Sequence, residues 1–123
     1  MRCVLRQFGD IDAGDRVLVT LASFCKKCVR EIDIVGRYGG EEIVILLPET
    51  SLEVGMMVAE RLRAMIAGSP VKIGENFTLS VTASLGVACK DENTTSLDIL
   101  IKRADQAMYI AKNKGRNRVA TSR

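Results

Sequence analysis

Histidine is absent from the chain, and with it the ligand that could complete a zinc site around the "CKKC" at Cys25–Cys28. Such a site needs four donors, and no second cysteine pair supplies them. Four cysteines among 123 residues are too few for a disulfide framework, which predicts reduced thiols and a cytoplasmic setting. Two prolines and ten glycines argue against long linkers and low-complexity segments. No apolar run approaches the roughly 20 residues of a membrane helix, and no leader is visible at the N-terminus. Aromatic residues do not interleave with the basic C-terminal "KNKGRNRVATSR", so the stacking platforms of a nucleic-acid surface are missing. The net charge of +3 instead suits a small phosphate-bearing ligand.

What is present reads as one α+β domain over residues 1–123, with 47% apolar residues to build a core. Residues 15–29 carry apolar positions at helical spacing, with Asp15 as a candidate N-cap and Cys25 and Cys28 on the inward stripe. "DIVGRY" and "EIVILL" flank Gly39-Gly40 as a hairpin. "TSLE" at 50–53 has a capping-box pattern and opens a helix to about Ala67, with Val54, Val58, Leu62, Met65 and Ile66 as its buried stripe. Residues 78–88 alternate as a strand. A last helix over 96–114 ends at Gly115, and "NRVAT" forms a short final strand.

The hairpin tip carries two glycines followed by Glu41 and Glu42. Glycines permit positive φ and close approach of a ligand to the backbone. Adjacent carboxylates can hold Mg²⁺, a hard cation that binds through one or two carboxylates together with substrate phosphates. Locally the same pattern also fits a solvated hairpin tip.

The wider context favours the ligand. "RYGGEEIVILLPET", the helix containing "AERLR", then "SVTASLGVA" and "RADQAMYIAKNKGRNRV", together with "GDRVL" at 14–18, resemble the GGDEF family of diguanylate cyclases. Ile43 stands where the family usually has phenylalanine. The resemblance implies a palm-like fold, of the ferredoxin and adenylyl-cyclase kind, with a mixed and mainly antiparallel sheet and packed helices. It implies condensation of two GTP molecules into cyclic di-GMP by two facing copies, with Mg²⁺ or Mn²⁺ and a sensory domain in the parent protein. Carried over by position, Glu41 is a metal ligand, Glu42 assists at the metal and the attacking hydroxyl, and Gly39 and Gly40 line the nucleotide. Lys112 and Arg116 reach the triphosphate, or simply cap a helix end as cations do. Asp15 matches the guanine-edge acceptor.

"REID" places Arg30 and Asp33 in the RxxD register at which relatives bind cyclic di-GMP as an inhibitor, with Arg61 as the third contributor. Guanidinium groups suit phosphates and guanine edges.

The N-terminus departs from the family. The strand bearing a "DxD"-like metal aspartate is missing or replaced, and Leu5 falls where an asparagine usually reads guanine. Residues 2–8 could supply a substitute strand, or a second copy could pair across the gap. These departures predict a weak or inactive cyclase, with a cyclic di-GMP sensor and a ligand-free dimerising module as the alternatives.

Overall fold

A computed structural model describes residues 3–9, 15–37 and 42–121, with side chains at 3–6, 17–37 and 42–121. The elements in chain order are β1 (Cys3–Gly9), α1 (Asp15–Cys28), β2 (Ile34–Arg37), β3 (Glu42–Leu47), α2 (Leu52–Gly68), β4 (Val71–Ile73), β5 (Phe77–Leu79), β6 (Ala83–Cys89), α3 (Leu97–Asn113) and β7 (Arg118–Thr121). Five strands form one sheet in the order β2-β3-β1-β6-β7, and β4 with β5 makes a separate hairpin. Neighbours in the large sheet are antiparallel except β6 and β7, which run parallel. This is the mixed, mainly antiparallel α+β architecture that the sequence implies.

The middle of the sheet is occupied. Of the two repairs considered for the central strand, the substitute strand is the one observed: residues 3–9 lie between β3 and β6 and are bonded to both. Alternation explains why this segment suits the place. Cys3 and Leu5 point into the main core beneath α1 and α2, while Val4 joins Val44, Ala88, Leu100 and Ala104 beneath α3. Leu5 is therefore a fully buried core residue. The register sets Cys3 opposite Cys89, and the two are joined as a disulfide. The expectation of reduced thiols holds at Cys25 and Cys28 and fails at this pair.

Helix α2 begins one residue later than the "TSLE" pattern suggests. Ser51 is the N-cap, its hydroxyl accepting from the Val54 amide at 3.2 Å. Its buried face is Gly55, Ala59, Leu62 and Ile66, rotated by about one residue from the predicted stripe. Gly55 is the reason. A Cβ there would stand 3.3 Å from Cys3 Sγ and 3.4 Å from Val87 Cγ1, so the bare glycine draws the helix against the sheet. Val54 and Met57 are left outside.

The single strand predicted over 78–88 is split. Residues 77–79 pair with β4, and the sheet strand starts at Ala83. Strand β6 is buried on both faces, because the small residues Ser84, Gly86 and Ala88 form a floor for α3. Helix α3 is capped by Ser96, whose hydroxyl accepts from the Ile99 amide at 3.3 Å. Gly115, at φ +122°, follows its end.

Candidate functional site

The described residues singled out by sequence fall toward the two ends of β3, which are five residues and so about 17 Å apart. At the far end, α1 finishes at Cys28, β3 finishes at Leu47, and α2 passes alongside. Between them lies a groove lined by Arg30, Asp33, Leu47, Val54, Met57 and Arg61, among others.

Arg30 is held in this groove by a dense set of acceptors. Its backbone amide donates to Asp33 Oδ2 at 2.7 Å, its Nε to the same oxygen at 3.2 Å, and its Nη2 to Asp33 Oδ1 at 2.9 Å. Nη2 also donates to the Pro48 carbonyl at 2.8 Å and to Thr50 Oγ1 at 2.9 Å. The Asp33 side chain is only 2% exposed, whereas that of Arg30 is 52% exposed. The carboxylate thus works inward, fixing a guanidinium that faces outward. The hydrogen bond to Asp33, then the charges of Asp33 and Glu49, raise the Arg30 pKa further and keep it cationic. Arg61 Nη2 donates to the Cys28 carbonyl at 2.5 Å, which caps the end of α1 and ties α2 to it. The structure therefore brings Arg30, Asp33 and Arg61 to one groove, where each also has a structural duty. Sequence reasoning did not single out Thr50, and it assigned Val54 to the core. Val54 is 48% exposed and Met57 65%, and together they give the groove an apolar wall beside its cations.

Of the two cysteines of α1, Cys28 lines this groove and Cys25 lies in the core. Burial, followed by the neighbouring Cys28, pushes the Cys25 thiol up to about 12. Such a thiol stays protonated and unreactive at neutral pH.

At the near end of β3 the picture is more divided. Gly39, Gly40 and Glu41 lie outside the described residues, as does the Asp15 side chain at the start of α1. Glu42 is described. It points to the α3 side of the sheet, the side of Val44, and there it is ion-paired with Arg6 of β1. Arg6 Nη1 is also 3.4 Å from Asp105 Oδ1 on α3. Lys112 lies two turns beyond Asp105 on the same stripe of that helix. Arg116 follows the helix with φ +64°, its amide donating to the Ala111 carbonyl at 3.0 Å.

The metal implied by the sequence can be tested against these groups. No three acidic, cysteine or histidine side chains converge among the described residues. The carboxylate of Glu42 faces a guanidinium rather than open space. Glu42, so paired, is not a ready ligand for Mg²⁺ or Mn²⁺, which require unneutralised oxygens, and Glu41 lies outside the described residues.

The family described as "Diguanylate cyclase, GGDEF domain" matches residues 5–118. The chain belongs to the GGDEF family. Diguanylate cyclase DgcP of Pseudomonas aeruginosa is 46% identical over 113 residues, which cover 91% of this chain and 16% of that protein. DgcM of Escherichia coli K12 is 45% identical over 106 residues, covering 86% of this chain and 25% of that one. The GGDEF chain thus spans a quarter or less of these curated relatives. Among solved structures, the GGDEF domain of YfiN (TpbB) from Pseudomonas aeruginosa superimposes with a TM-score of 0.88 at 31% identity, covering 97% of this chain and 81% of that one. The GGDEF domain of DgcB from Caulobacter crescentus, solved in complex with c-di-GMP, gives 0.89 at 27% identity, covering 98% and 77%. No helix among the described residues is long and apolar enough to cross a membrane.

Proposed function

We propose that this chain is the GGDEF unit of a cyclic di-GMP signalling protein, and that its best-supported activity is binding cyclic di-GMP in the groove at the far end of β3. The observation that carries this reading is Arg30, half exposed and fixed by Asp33, Pro48 and Thr50. A pre-positioned guanidinium loses little freedom on binding and offers parallel N–H groups to a phosphate or to a guanine edge. Arg61 adds a second cation, and Val54 with Met57 offers an apolar surface to a base. The groove volume of about 200 Å³ is below that of a typical small-molecule pocket, so it suits one guanylate half of the ligand. The other half would rest outside or against a second copy.

Cyclase turnover is the second reading, favoured by the family membership itself. GTP would lie against Gly39, Gly40 and Glu41, with Lys112 and Arg116 toward the triphosphate and Asp15 toward the base. Two copies would face one another so that a 3′-hydroxyl meets an α-phosphate, and Mg²⁺ or Mn²⁺ would supply the charge that phosphoryl transfer needs. The pairing of Arg6 with Glu42 weighs against that requirement, and we expect weak turnover at most. A guanine-nucleotide ligand points to the cytoplasm, and a sensory domain would belong to the parent protein.

Calorimetric titration with cyclic di-GMP tests the proposal. The wild-type chain should bind it, and Arg30→Ala should weaken binding by at least about tenfold, the scale of one charge-assisted bidentate contact. Equal affinity in the two proteins would defeat the reading. Accumulation of cyclic di-GMP from GTP with Mg²⁺ would restore the enzyme.

A further inference from the structure

The positive charge nearest Glu42 is part of the chain. Arg6 is only 7% exposed and stands opposite Val44 on β3 and Gly86 on β6. Its guanidinium meets Glu42, two residues along β3, and Asp105, above it on α3. Gly86 brings the last of these within reach. The helix lies so close over that glycine that a Cβ would stand 2.1 Å from the Ala104 carbonyl oxygen, and Asp105 is the next residue. Three elements thus converge on one buried guanidinium with a carboxylate from each of the other two.

We infer that Arg6 is a built-in cation beside Glu42, so that Glu42 does not serve this chain as a ligand to Mg²⁺ or Mn²⁺. Three arguments support the assignment. The Glu42 carboxylate is already neutralised, whereas a hard divalent cation draws its affinity from anionic oxygens. Moving Arg6 aside would break a buried ion pair, and an incoming metal must offset that loss as well as its own dehydration. Finally, a guanidinium does not deprotonate in proteins, so no accessible pH clears the place, as it would for histidine. This inference does not rest on the cyclic di-GMP groove and can stand or fall apart from it.

The test is Mn²⁺ binding to the whole chain, read by electron paramagnetic resonance of the free ion, with circular dichroism to establish folding. The wild type should hold Mn²⁺ no more tightly than Glu42→Gln does. Arg6→Gln should gain at least about tenfold in affinity, and the double variant Arg6→Gln/Glu42→Gln should lose that gain. Arg6→Lys, which keeps the charge, should leave the Mn²⁺ affinity at the wild-type level. Micromolar Mn²⁺ binding by the wild type that Glu42→Gln removes would overturn the assignment. So would a folded Arg6→Gln that gains nothing. Should Arg6→Gln fail to fold, the comparison of wild type with Glu42→Gln decides: indifference to Glu42 upholds the inference, and dependence on it refutes it.

Discussion

Gly86→Ala is a small change for which the structure requires a large effect. An added Cβ would fall 2.1 Å from the Ala104 carbonyl oxygen, 2.3 Å from the Met108 amide nitrogen and 2.9 Å from Met108 Cα, and ordinary contact begins at 3.4 Å. All three obstacles are backbone atoms of α3, so no side chain can rotate out of the way. The helix itself must withdraw by more than an ångström, which loosens Leu100 and Ala104 from Val4 and Val44 beneath. Overpacking in a core costs about 1–3 kcal/mol, and a backbone collision belongs at or above the upper end, about 3 kcal/mol. With a urea dependence of roughly 1–3 kcal/mol/M, the unfolding midpoint should fall by about 1–3 M. Equilibrium urea unfolding followed by circular dichroism measures this directly. A loss below about 0.5 kcal/mol, the scale of an ordinary surface change, would show that α3 does not lie on Gly86 as described.

Smaller perturbations separate the duties of neighbouring residues. Ser51→Ala should cost about 1 kcal/mol in urea unfolding through loss of the α2 cap, while leaving cyclic di-GMP affinity unchanged. Thr50→Val removes the hydroxyl that accepts from Arg30, so calorimetry should find weaker cyclic di-GMP binding in that variant. Asp33→Ala removes the buried carboxylate that holds Arg30 and should lower stability by about 1–3 kcal/mol, read again from urea midpoints. Cys25 gives a pH dependence. Its folded thiol titrates near 12 against an ordinary 9.0, so the folded state keeps a proton that the unfolded state loses. The stability it confers is complete below pH 9 and declines as pH rises from 9 toward 12, with a slope of at most about 1.4 kcal/mol per pH unit. A Cys25→Ala variant should lack that component of the alkaline decline.

Periodicity made α1 and α3 legible, and β3 showed instead as a continuous apolar run, buried on both faces at Ile43, Val44 and Ile45. Periodicity misled where small residues decide the contact. Counting large apolar side chains put Val54 and Val58 inside α2, yet helix and sheet meet through Gly55 and Ala59, and the displaced valine lines the groove. Residues 78–88 read as one long strand because alternation continues through residues 80–82, where pairing partners change from β4 to β1 and β7. The disulfide was hidden for a different reason: Cys3 and Cys89 become neighbours only through a register between strands 86 residues apart. At the site, the RxxD spacing pointed to Arg30 and Asp33 but not to their division of labour, which depends on burial. Arg6 carried a faint signal. In "RCVLRQF" it shares the face of Val4, so a strand there buries a cation that must find carboxylates, and Glu42 and Asp105 are the ones it meets.

The most direct test of the central claim is an amide NMR titration of the isotopically labelled chain with cyclic di-GMP in the absence of metal. The account predicts saturable shifts concentrated at residues 28–33, 47–50 and 54–61, with Arg30 and Arg61 side-chain signals among them. Shifts clustered instead around Glu42 and the end of α3, or no shifts at millimolar ligand, would contradict it.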